Sequence, residues 1–153
     1  MDVAAGHGRH SRLLMEHGLL VTAIDRDPDQ QPDAPGLTKI RADLETGAPW
    51  PLAQRQFDLV VVTNYLHRPI LAEIIGAVGP GGLLLYETFA LGNERFGRPS
   101  NPEFLLRPGE LNVAALAGGL EVIAFEDTEL GAPRPGVVQR IAARAPAGGG
   151  RRA

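Results

Sequence analysis

Continuous apolar runs that end near a polar residue recur along this chain, and they constrain its fold more than any other feature. LLVTAID ends at Asp25, FDLVVVTN ends at Asn64, and LLLYETFA carries Glu87 near its end. An apolar run without alternation is typical of a strand that is buried on both faces, as in a parallel sheet. The runs therefore indicate a sheet that other elements cover on both sides.

Segments with helical character lie between these runs. GRHSRLLMEHG ends at a glycine, RPILAEIIGAVGPGG is stopped by its glycines and proline, and PGELNVAALAGG has proline near its start and glycine at its end. Alternating strands and helices predict a mostly parallel α/β sheet with helices on both faces. The last two predicted strands, LEVIAFED and VVQRIAAR, have no helix between them, so we expect them to pair antiparallel.

Length and composition indicate one globular domain. The chain has 153 residues, of which 44% are hydrophobic and 22% are charged, which suffices for a core. We predict that the domain covers 1–145 and that 146–153 is a disordered tail. No apolar run approaches the roughly 20 residues of a membrane span, and the first residues do not form a signal peptide. We therefore expect no membrane partner and a cytoplasmic location.

Charge and residue usage exclude several kinds of site. The chain has no cysteine, which excludes disulfides, thiolate metal sites and a cysteine nucleophile. Its 4 histidines lack metal-ligand spacing, so we predict no metal. The net charge is -3, and the only basic cluster is the terminal GRR, which argues against a nucleic-acid partner. The oligomeric state is left open.

Polar residues at one edge of the predicted sheet carry the candidate chemistry. MDVAAGHGRH holds Gly6 and Gly8 in a G-x-G turn after the first strand, and acids follow the second and third strands at Asp25 and Asp43. In an open parallel sheet, ligands bind at this edge, where glycine lets the backbone approach the ligand. We expect a side chain at Gly8 to occupy the ligand's space, although an ordinary strand-to-helix turn also explains the two glycines.

The first turn distinguishes two cofactor classes that both need an acid for ribose hydroxyls. A dinucleotide turn reads G-x-G-x-x-G, and this chain has Ser11 in place of the third glycine. Asp2 would repel a pyrophosphate, whereas it would attract the ammonium and sulfonium groups of S-adenosylmethionine. The residues therefore favour S-adenosylmethionine over a nicotinamide dinucleotide.

DVAAGHGRHSRLL resembles the first motif of class I S-adenosylmethionine-dependent methyltransferases, D-x-x-x-G-x-G. VTAIDRDP, RADLE, FDLVVVTNYLHRPIL and VGPGGLLLYETF are similar to later motifs of that family, in the same order. The resemblance covers almost the whole chain and is greatest to small bacterial enzymes of the methyltransferase-domain and tellurite-resistance type. It implies a Rossmann-like, doubly wound sheet of seven strands with an antiparallel C-terminal hairpin.

The resemblance implies that the first two motifs hold most of the cofactor. Asp2 would help to bind the amino end of the methionine moiety. Gly6 and Gly8 would pass beneath the methionine and the ribose, and Asp25 would hold the ribose hydroxyls. An acid in a solvated loop is the alternative for Asp25.

The later motifs are implied to complete the cofactor site. Asp43 would meet the adenine amine, with the Leu44 backbone beside it, and Asn64 would line the cofactor near the methyl group that is transferred. A cap on the following turn is the alternative for Asp43, and a plain turn residue is the alternative for Asn64.

Three residues are candidates for catalysis. Tyr65 and His67 lie in YLHRP, where the resemblance places the acceptor chemistry, and Glu87 belongs to the same edge. His67 is suited to general-base catalysis near neutral pH, but it can equally cap a helix. Glu87 either binds substrate or pairs with an arginine of the following loop. Methyl transfer to a soft or deprotonated nucleophile needs no base, because alignment alone can suffice.

The long segment after the fifth predicted strand is the expected acceptor side. ERFGRPSNPEFLLRPGE is too long for a plain connector, so it is either a lid over the acceptor pocket or a surface excursion. Arg98 and Arg107 are the substrate candidates, since guanidinium groups bind carboxylates in a bidentate manner. The alternative is that they pair with Glu94, Glu103 or Glu110 at the surface.

We predict that the chain transfers a methyl group from S-adenosylmethionine to a small-molecule acceptor. The alternatives are a non-catalytic cofactor-binding module, an inactive N-terminally truncated fragment and a NAD-type oxidoreductase. A buried strand runs about five or six residues, but fewer precede the first turn here. We therefore expect an incomplete first strand, and a longer reading frame that supplies the missing apolar residues.

Overall fold

Seven strands of the computed structural model, which describes residues 1–148, form a single mixed sheet. In chain order they are β1 Asp2–Val3, β2 Val21–Asp25, β3 Leu37–Arg41, β4 Phe57–Thr63, β5 Val78–Phe89, β6 Glu121–Leu130 and β7 Gly136–Arg144. Three helices accompany them: α1 Arg9–Glu16, α2 Leu71–Gly76 and α3 Glu110–Ala117. Short 3-10 turns lie at Pro28–Gln30, Arg68–Ile70, Asn93–Arg95 and Pro102–Phe104. No helix within these residues is long and apolar enough to cross a membrane.

The strand order β3-β2-β1-β4-β5-β7-β6 confirms the predicted doubly wound sheet. β1 pairs in parallel with both β2 and β4, and the pairs β2–β3 and β4–β5 are parallel as well. β7 pairs antiparallel with β5 and β6, which confirms the C-terminal hairpin. The strand order reverses beside β1, so the place where ligands bind in such sheets lies at the carboxyl ends of β1 and β4.

Burial explains why the continuous apolar runs form the central strands. In β4, Val60, Val61 and Val62 are all buried, so both faces of this strand are covered. Ile24 of β2 and Leu84 of β5 join the same core. Each fully buried valine or leucine side chain contributes about 1.5–3 kcal/mol of hydrophobic stabilisation. The packed centre of the sheet therefore holds in place the strand ends that carry the polar residues.

The predicted boundary between one helix and the next strand is wrong. RPILAEIIGAVGPGG is predicted to be helical up to its glycines, but α2 ends at Gly76 and β5 begins at Val78. Val78 pairs with Phe57 of β4, and a register shift follows this pair. The glycines fit the strand because a Cβ at Gly82 would lie 2.8 Å from the carbonyl oxygens of Gly79 and Phe57.

The two ends of the chain bear on the expectations of a short first strand and a disordered tail. β1 has 2 residues, and the expectation of an incomplete first strand stays a prediction. Of the segment 146–153, which we predict to be disordered, 149–153 lies outside the described residues and 146–148 forms no helix or strand.

The segment 91–109, between β5 and α3, is held against the sheet by a buried asparagine. Asn93 is 2% exposed. Its Oδ1 accepts a hydrogen bond from the Val137 N–H at 3.1 Å, and its Nδ2 donates to the Pro99 carbonyl at 3.0 Å. This one side chain therefore joins the segment to β7 and fixes its first turn.

The far end of the same segment is held by Arg68, in a set of contacts that we call the Arg68 clamp. Arg68 Nε and Nη2 donate to the two carboxylate oxygens of Glu110 at 2.6 and 2.8 Å. Its Nη1 and Nη2 also donate to the carbonyls of Glu103 and Leu105, each at 2.8 Å. Burial alone would raise the pKa of Glu110, but the hydrogen bonds from Arg68 and from the Arg107 N–H bring it below its ordinary value.

Arg68→Ala is expected to lower the free energy of unfolding by about 1.5–3 kcal/mol, because hydrogen bonds between charged, partly buried groups are lost. The matched control is Arg95→Ala, which removes an exposed ion pair of 2.8 Å with Glu129. That loss is expected to stay below about 1 kcal/mol. Denaturant unfolding of both variants measures the difference, and equal losses would contradict the clamp.

The contribution of the clamp is also expected to depend on pH through Glu110. A carboxyl with a lowered pKa in the folded chain stabilises the fold above its unfolded value of about 4.3, and this stabilisation is lost as the pH falls through the folded value. The stability difference between the parent and Arg68→Ala should therefore be constant near neutral pH and shrink in acid. The bonds of Arg68 to the Glu103 and Leu105 carbonyls do not titrate, so part of the difference should remain in acid. Unfolding curves at a series of pH values check this, and a difference that does not shrink at all in strong acid would rule Glu110 out as a source.

Candidate functional site

Asp25 ties the turn after β1 to the end of β2. The Gly6 N–H donates to Asp25 Oδ2 at 2.8 Å, and the Asp27 N–H donates to Asp25 Oδ1 at 2.9 Å. The Ala5 N–H donates to the Ile24 carbonyl at 3.1 Å, which continues the pairing of β1 with β2. Each carboxylate oxygen has lone-pair capacity left, so Asp25 can still accept hydrogen bonds from a ligand at this edge.

The two glycines of this turn have different surroundings, although both have left-handed backbone angles. Gly6 has a φ of +51°, and a Cβ there would meet no heavy atom within 4 Å. Gly8 has a φ of +75°, and a Cβ there would lie 2.5 Å from Gln31 Oε1. In this structure a side chain at Gly8 would meet Gln31, and the expectation that it would fill the ligand's space stays a prediction. The open side of the turn is at Gly6.

Asp2 lies behind the turn. It is 1% exposed, and the hydroxyl of Ser11 in α1 donates to its Oδ2 at 2.6 Å. Burial raises the pKa of this carboxyl, and the hydrogen bond from Ser11 partly offsets the shift. Asp2 thus joins β1 to α1, and the structure does not bring its side chain into a cavity with the other predicted cofactor residues.

Three predicted cofactor residues do meet, in a cavity of about 260 Å³ at the carboxyl ends of β2 and β3. We call it the acidic cavity; it is lined by Ala4, Asp25, Arg26, Ala42, Asp43, Leu44, Glu45 and Tyr65. Asp43 Oδ1 accepts a hydrogen bond from the Glu45 N–H at 3.0 Å, so the alternative role of Asp43, a cap on the following turn, is also present. Three acids and one arginine give this cavity a negative charge.

Tyr65 joins the acidic cavity to a second cavity, of about 220 Å³. The other residues of the second cavity are Glu45, Asn64, Leu66, Thr88, Phe89, Pro99 and Phe104. The Tyr65 hydroxyl is buried and has no hydrogen-bond partner within residues 1–148. Burial and the carboxylates of Glu45, Asp43 and Asp25 raise its pKa. The phenol therefore keeps its proton at neutral pH and is not suited to act as a base.

Asn64 follows β4 with a left-handed backbone, at a φ of 53°. Its N–H donates to the Glu87 carbonyl at 2.9 Å, which continues the pairing of β4 with β5. Left-handed residues other than glycine are uncommon, and they cluster at functional sites. Asn64 lines the second cavity and also a third one, so it lies where the two meet.

The third cavity, of about 280 Å³, contains three arginines, and we call it the basic cavity. Arg9 comes from α1, Arg98 from the segment 91–109, and Arg134 from the connection between β6 and β7. The remaining lining residues are Asn64, Glu87, Phe89, Asn93, Phe96, Leu130, Pro135, Gly136 and Val138. Of the arginines, only Arg98 is a candidate from the sequence, since no pattern in the chain indicates which turns meet here.

Of the candidates for catalysis and substrate binding, His67 and Arg107 line none of these three cavities. The Arg107 N–H donates to Glu110 Oε2 at 2.7 Å, and its carbonyl accepts from Gln139 Nε2 at 2.6 Å. His67 precedes the turn Arg68–Ile70, and its side chain makes no capping hydrogen bond there.

Glu87 lines the basic cavity, but its carboxylate is already paired. Arg140 Nε lies 3.0 Å from Glu87 Oε2, and Arg140 Nη1 lies 3.4 Å from Glu126 Oε2. Glu87 and Arg140 face each other in the register of β5 and β7. The alternative expectation for Glu87 is a pair with an arginine of the following loop. Glu87 does pair with an arginine, but that arginine comes from β7 and not from the loop.

The part of the chain that forms the carboxyl-terminal edge of the sheet matches a known protein family. Residues 1–86 match the family model described as a methyltransferase domain, which is more than half of the chain. The matched part includes the glycine turn, the end of β2 and the residues that follow β3 and β4. Among curated proteins, none matches the sequence.

Solved structures share the fold at low sequence identity. An S-adenosylmethionine-dependent methyltransferase from Mesorhizobium loti has a TM-score of 0.68 and 20% identity, over 94% of this chain and 88% of that chain. A variant of the 16S rRNA (adenine(1408)-N(1))-methyltransferase from Catenulisporales acidiphilia, solved with S-adenosylmethionine, has a TM-score of 0.67 and 20% identity, over 97% and 86%. TehB from Haemophilus influenzae has a TM-score of 0.64 and 18% identity, over 94% and 57%. These likenesses confirm the predicted fold class, and S-adenosylmethionine is the cofactor that the first two name.

Gly8→Ala is expected to destabilise the fold more than Gly6→Ala. Both residues have a positive φ, but only the Cβ at position 8 would press on Gln31, which is 2% exposed and closely packed. Overpacking of this kind costs about 1–3 kcal/mol. Thermal unfolding of the two variants measures the difference, and Gln31→Ala should remove part of it in a double-mutant cycle. Equal melting temperatures for the two alanine variants would contradict this packing.

Proposed function

The chain belongs to the methyltransferase-domain family, and we propose that it transfers a methyl group from S-adenosylmethionine to a small-molecule acceptor. The acidic cavity is the observation that carries this proposal, because Asp25, Asp43 and Leu44 meet there from different strand ends. The resemblance assigns these residues to the ribose and the adenine. We assign the activity to residues 1–145, since β7 ends at Arg144.

The residues present fit this cofactor. Asp25 has lone pairs for two ribose hydroxyls while it holds the Gly6 N–H. Asp43 and Glu45 add negative charge, which favours a ligand with sulfonium and ammonium groups. The open side of Gly6 leaves room for a ligand beside the turn. When bound, the cofactor supplies an electrophilic methyl group on a positively charged sulfur.

We assign the chain the task of positioning the acceptor and not of removing its proton. Tyr65 keeps its proton, His67 lines none of the three cavities, and the Glu87 carboxylate is paired with Arg140. Asn64 and Tyr65 lie between the acidic and basic cavities, so they are the side chains that can orient both reactants. Alignment by these groups can then suffice for methyl transfer to a soft or deprotonated nucleophile.

A small acceptor suits this chain better than a nucleic acid does. One solved structure of the same fold is named an rRNA methyltransferase. Nucleic-acid binding requires a basic surface that neutralises several phosphates, whereas this chain has a net charge of -3. The second and basic cavities, of about 220 and 280 Å³, both border on Asn64, and only together do they reach the size of small-ligand pockets, which begins at roughly 300 Å³.

Asp25→Ala is expected to weaken the binding of S-adenosylhomocysteine by about 1.5–3 kcal/mol, because a charged hydrogen-bond acceptor is lost. Isothermal titration calorimetry of the parent and the variant measures this change. Asp58→Ala is the matched control, since Asp58 is an exposed acid of β4 that lines none of the cavities. Gly6→Ala should also lose affinity while it remains folded, because its methyl group would enter the open side of the turn.

Unchanged affinity in Asp25→Ala would contradict the placement of the ribose. Because Asp25 also holds the turn, the melting temperature of each variant is measured alongside, and Gly6→Ala provides an independent arm. Tight binding of NAD by the parent would favour the oxidoreductase alternative. Cofactor binding without turnover of any acceptor in a broad panel would favour the non-catalytic module.

A further inference from the structure

The basic cavity contains three guanidinium groups without a partner in the part of the chain that the structure describes. Arg9, Arg98 and Arg134 come from three separate segments, and each of them is exposed. None of the ion pairs or side-chain hydrogen bonds within residues 1–148 involves any of the three guanidiniums. Three cations thus line one small space, and no carboxylate within residues 1–148 forms an ion pair with any of them.

Two other arginines, by contrast, are paired with acids. Arg95 pairs with Glu129 at 2.8 Å, and Arg140 pairs with Glu87 at 3.0 Å. Among the described residues, Glu87 is the one acid that lines the basic cavity, and Arg140 already compensates its charge. The cavity therefore carries a net positive charge that is available to a ligand.

Part of the remaining wall of the basic cavity is apolar. This part is formed by Phe89, Phe96, Leu130, Pro135 and Val138, and the polar side chains Asn64, Glu87 and Asn93 lie beside it. Such a wall lowers the local dielectric, which strengthens the attraction between a guanidinium and an anion. A ligand with a flat or compact apolar body and one anionic group would satisfy both parts of the cavity.

We propose that the basic cavity binds the methyl acceptor, and that this acceptor is a small aromatic or compact apolar molecule with a carboxylate or phosphate group. Arg98 and Arg134 hold the anionic group, together with Arg9. The apolar wall receives the body of the molecule, beside Asn64 and the second cavity. The inference rests on the proposed function for the identity of the ligand as acceptor, but the anion site itself can be tested without turnover.

A competing explanation is that these arginines bind the carboxylate of the cofactor's own methionine moiety. In that case, removing an arginine would weaken the binding of S-adenosylhomocysteine. Our proposal expects Arg98→Ala and Arg134→Ala to leave that affinity unchanged. The two explanations therefore differ in the S-adenosylhomocysteine affinity that they predict for the two arginine variants.

The experiment titrates three probes into the protein by isothermal titration calorimetry, with and without saturating S-adenosylhomocysteine. The probes are benzoate, phenyl phosphate and the uncharged benzyl alcohol. We expect at least one anion to bind about 10-fold more tightly than benzyl alcohol, since a hydrogen bond to a charged group is at stake. The better of the two anions indicates whether the natural group is a carboxylate or a phosphate.

Arg98→Ala and Arg134→Ala should each weaken anion binding by about 10-fold or more. Arg12→Ala is the matched control, because Arg12 is an exposed arginine of α1 that lines none of the cavities. Melting temperatures of all three variants should equal that of the parent, as expected for exposed side chains.

Equal affinity for benzyl alcohol and the anions, or no anion binding at all, would overturn the proposal. A loss of S-adenosylhomocysteine affinity in Arg98→Ala and Arg134→Ala would overturn it in favour of the cofactor's carboxylate. Anion binding without any S-adenosylhomocysteine binding would refute the proposed function and leave the anion site in place. Cofactor binding without anion binding would refute the anion site and leave the proposed function in place.

Discussion

The hydrogen bond between the Gly6 N–H and the Asp25 carboxylate joins the two strand ends on which the candidate site depends. It fixes the first turn against β2, and the Ala5 N–H extends the same pairing to Ile24. The packed strand β4 lies on the other side of β1. Since all of these strands are parallel, one edge of the sheet collects their carboxyl ends. Every cavity of the site lies along that edge, with acids at one end and arginines at the other.

Much of this arrangement follows from local sequence patterns. Apolar runs indicated the central strands, because strands buried on both faces need no alternation. The polar residues that follow the strands are expected to meet, and Asp25 and Asp43 do line one cavity, with Leu44 beside them. The start of β5 was missed, because its first residues pair with β4 through glycines that usually indicate a turn. A close approach of carbonyl oxygens at Gly82 is a tertiary contact, and no local pattern reports it.

The rest of the site depends on contacts between distant segments, which explains why sequence reasoning did not find it. Glu87 pairs with Arg140 because the register of β5 and β7 places them opposite each other, and register is set by packing across the whole sheet. Arg134 reaches the basic cavity only because the β6–β7 connection returns to the same edge. Gln31 lies in another loop, and a side chain at position 8 would press against it, which favours glycine there.

The Arg68 clamp has a consequence for the energetics of ligand binding. The wall that carries Arg98 belongs to the segment 91–109, which is fastened at one end by Asn93 and at the other by Arg68. Ordering a free loop of this length on binding would cost roughly 1–2 kcal/mol per residue in backbone entropy. Here that cost is met when the chain folds, so the wall is preorganised and an incoming ligand keeps more of its interaction energy as affinity.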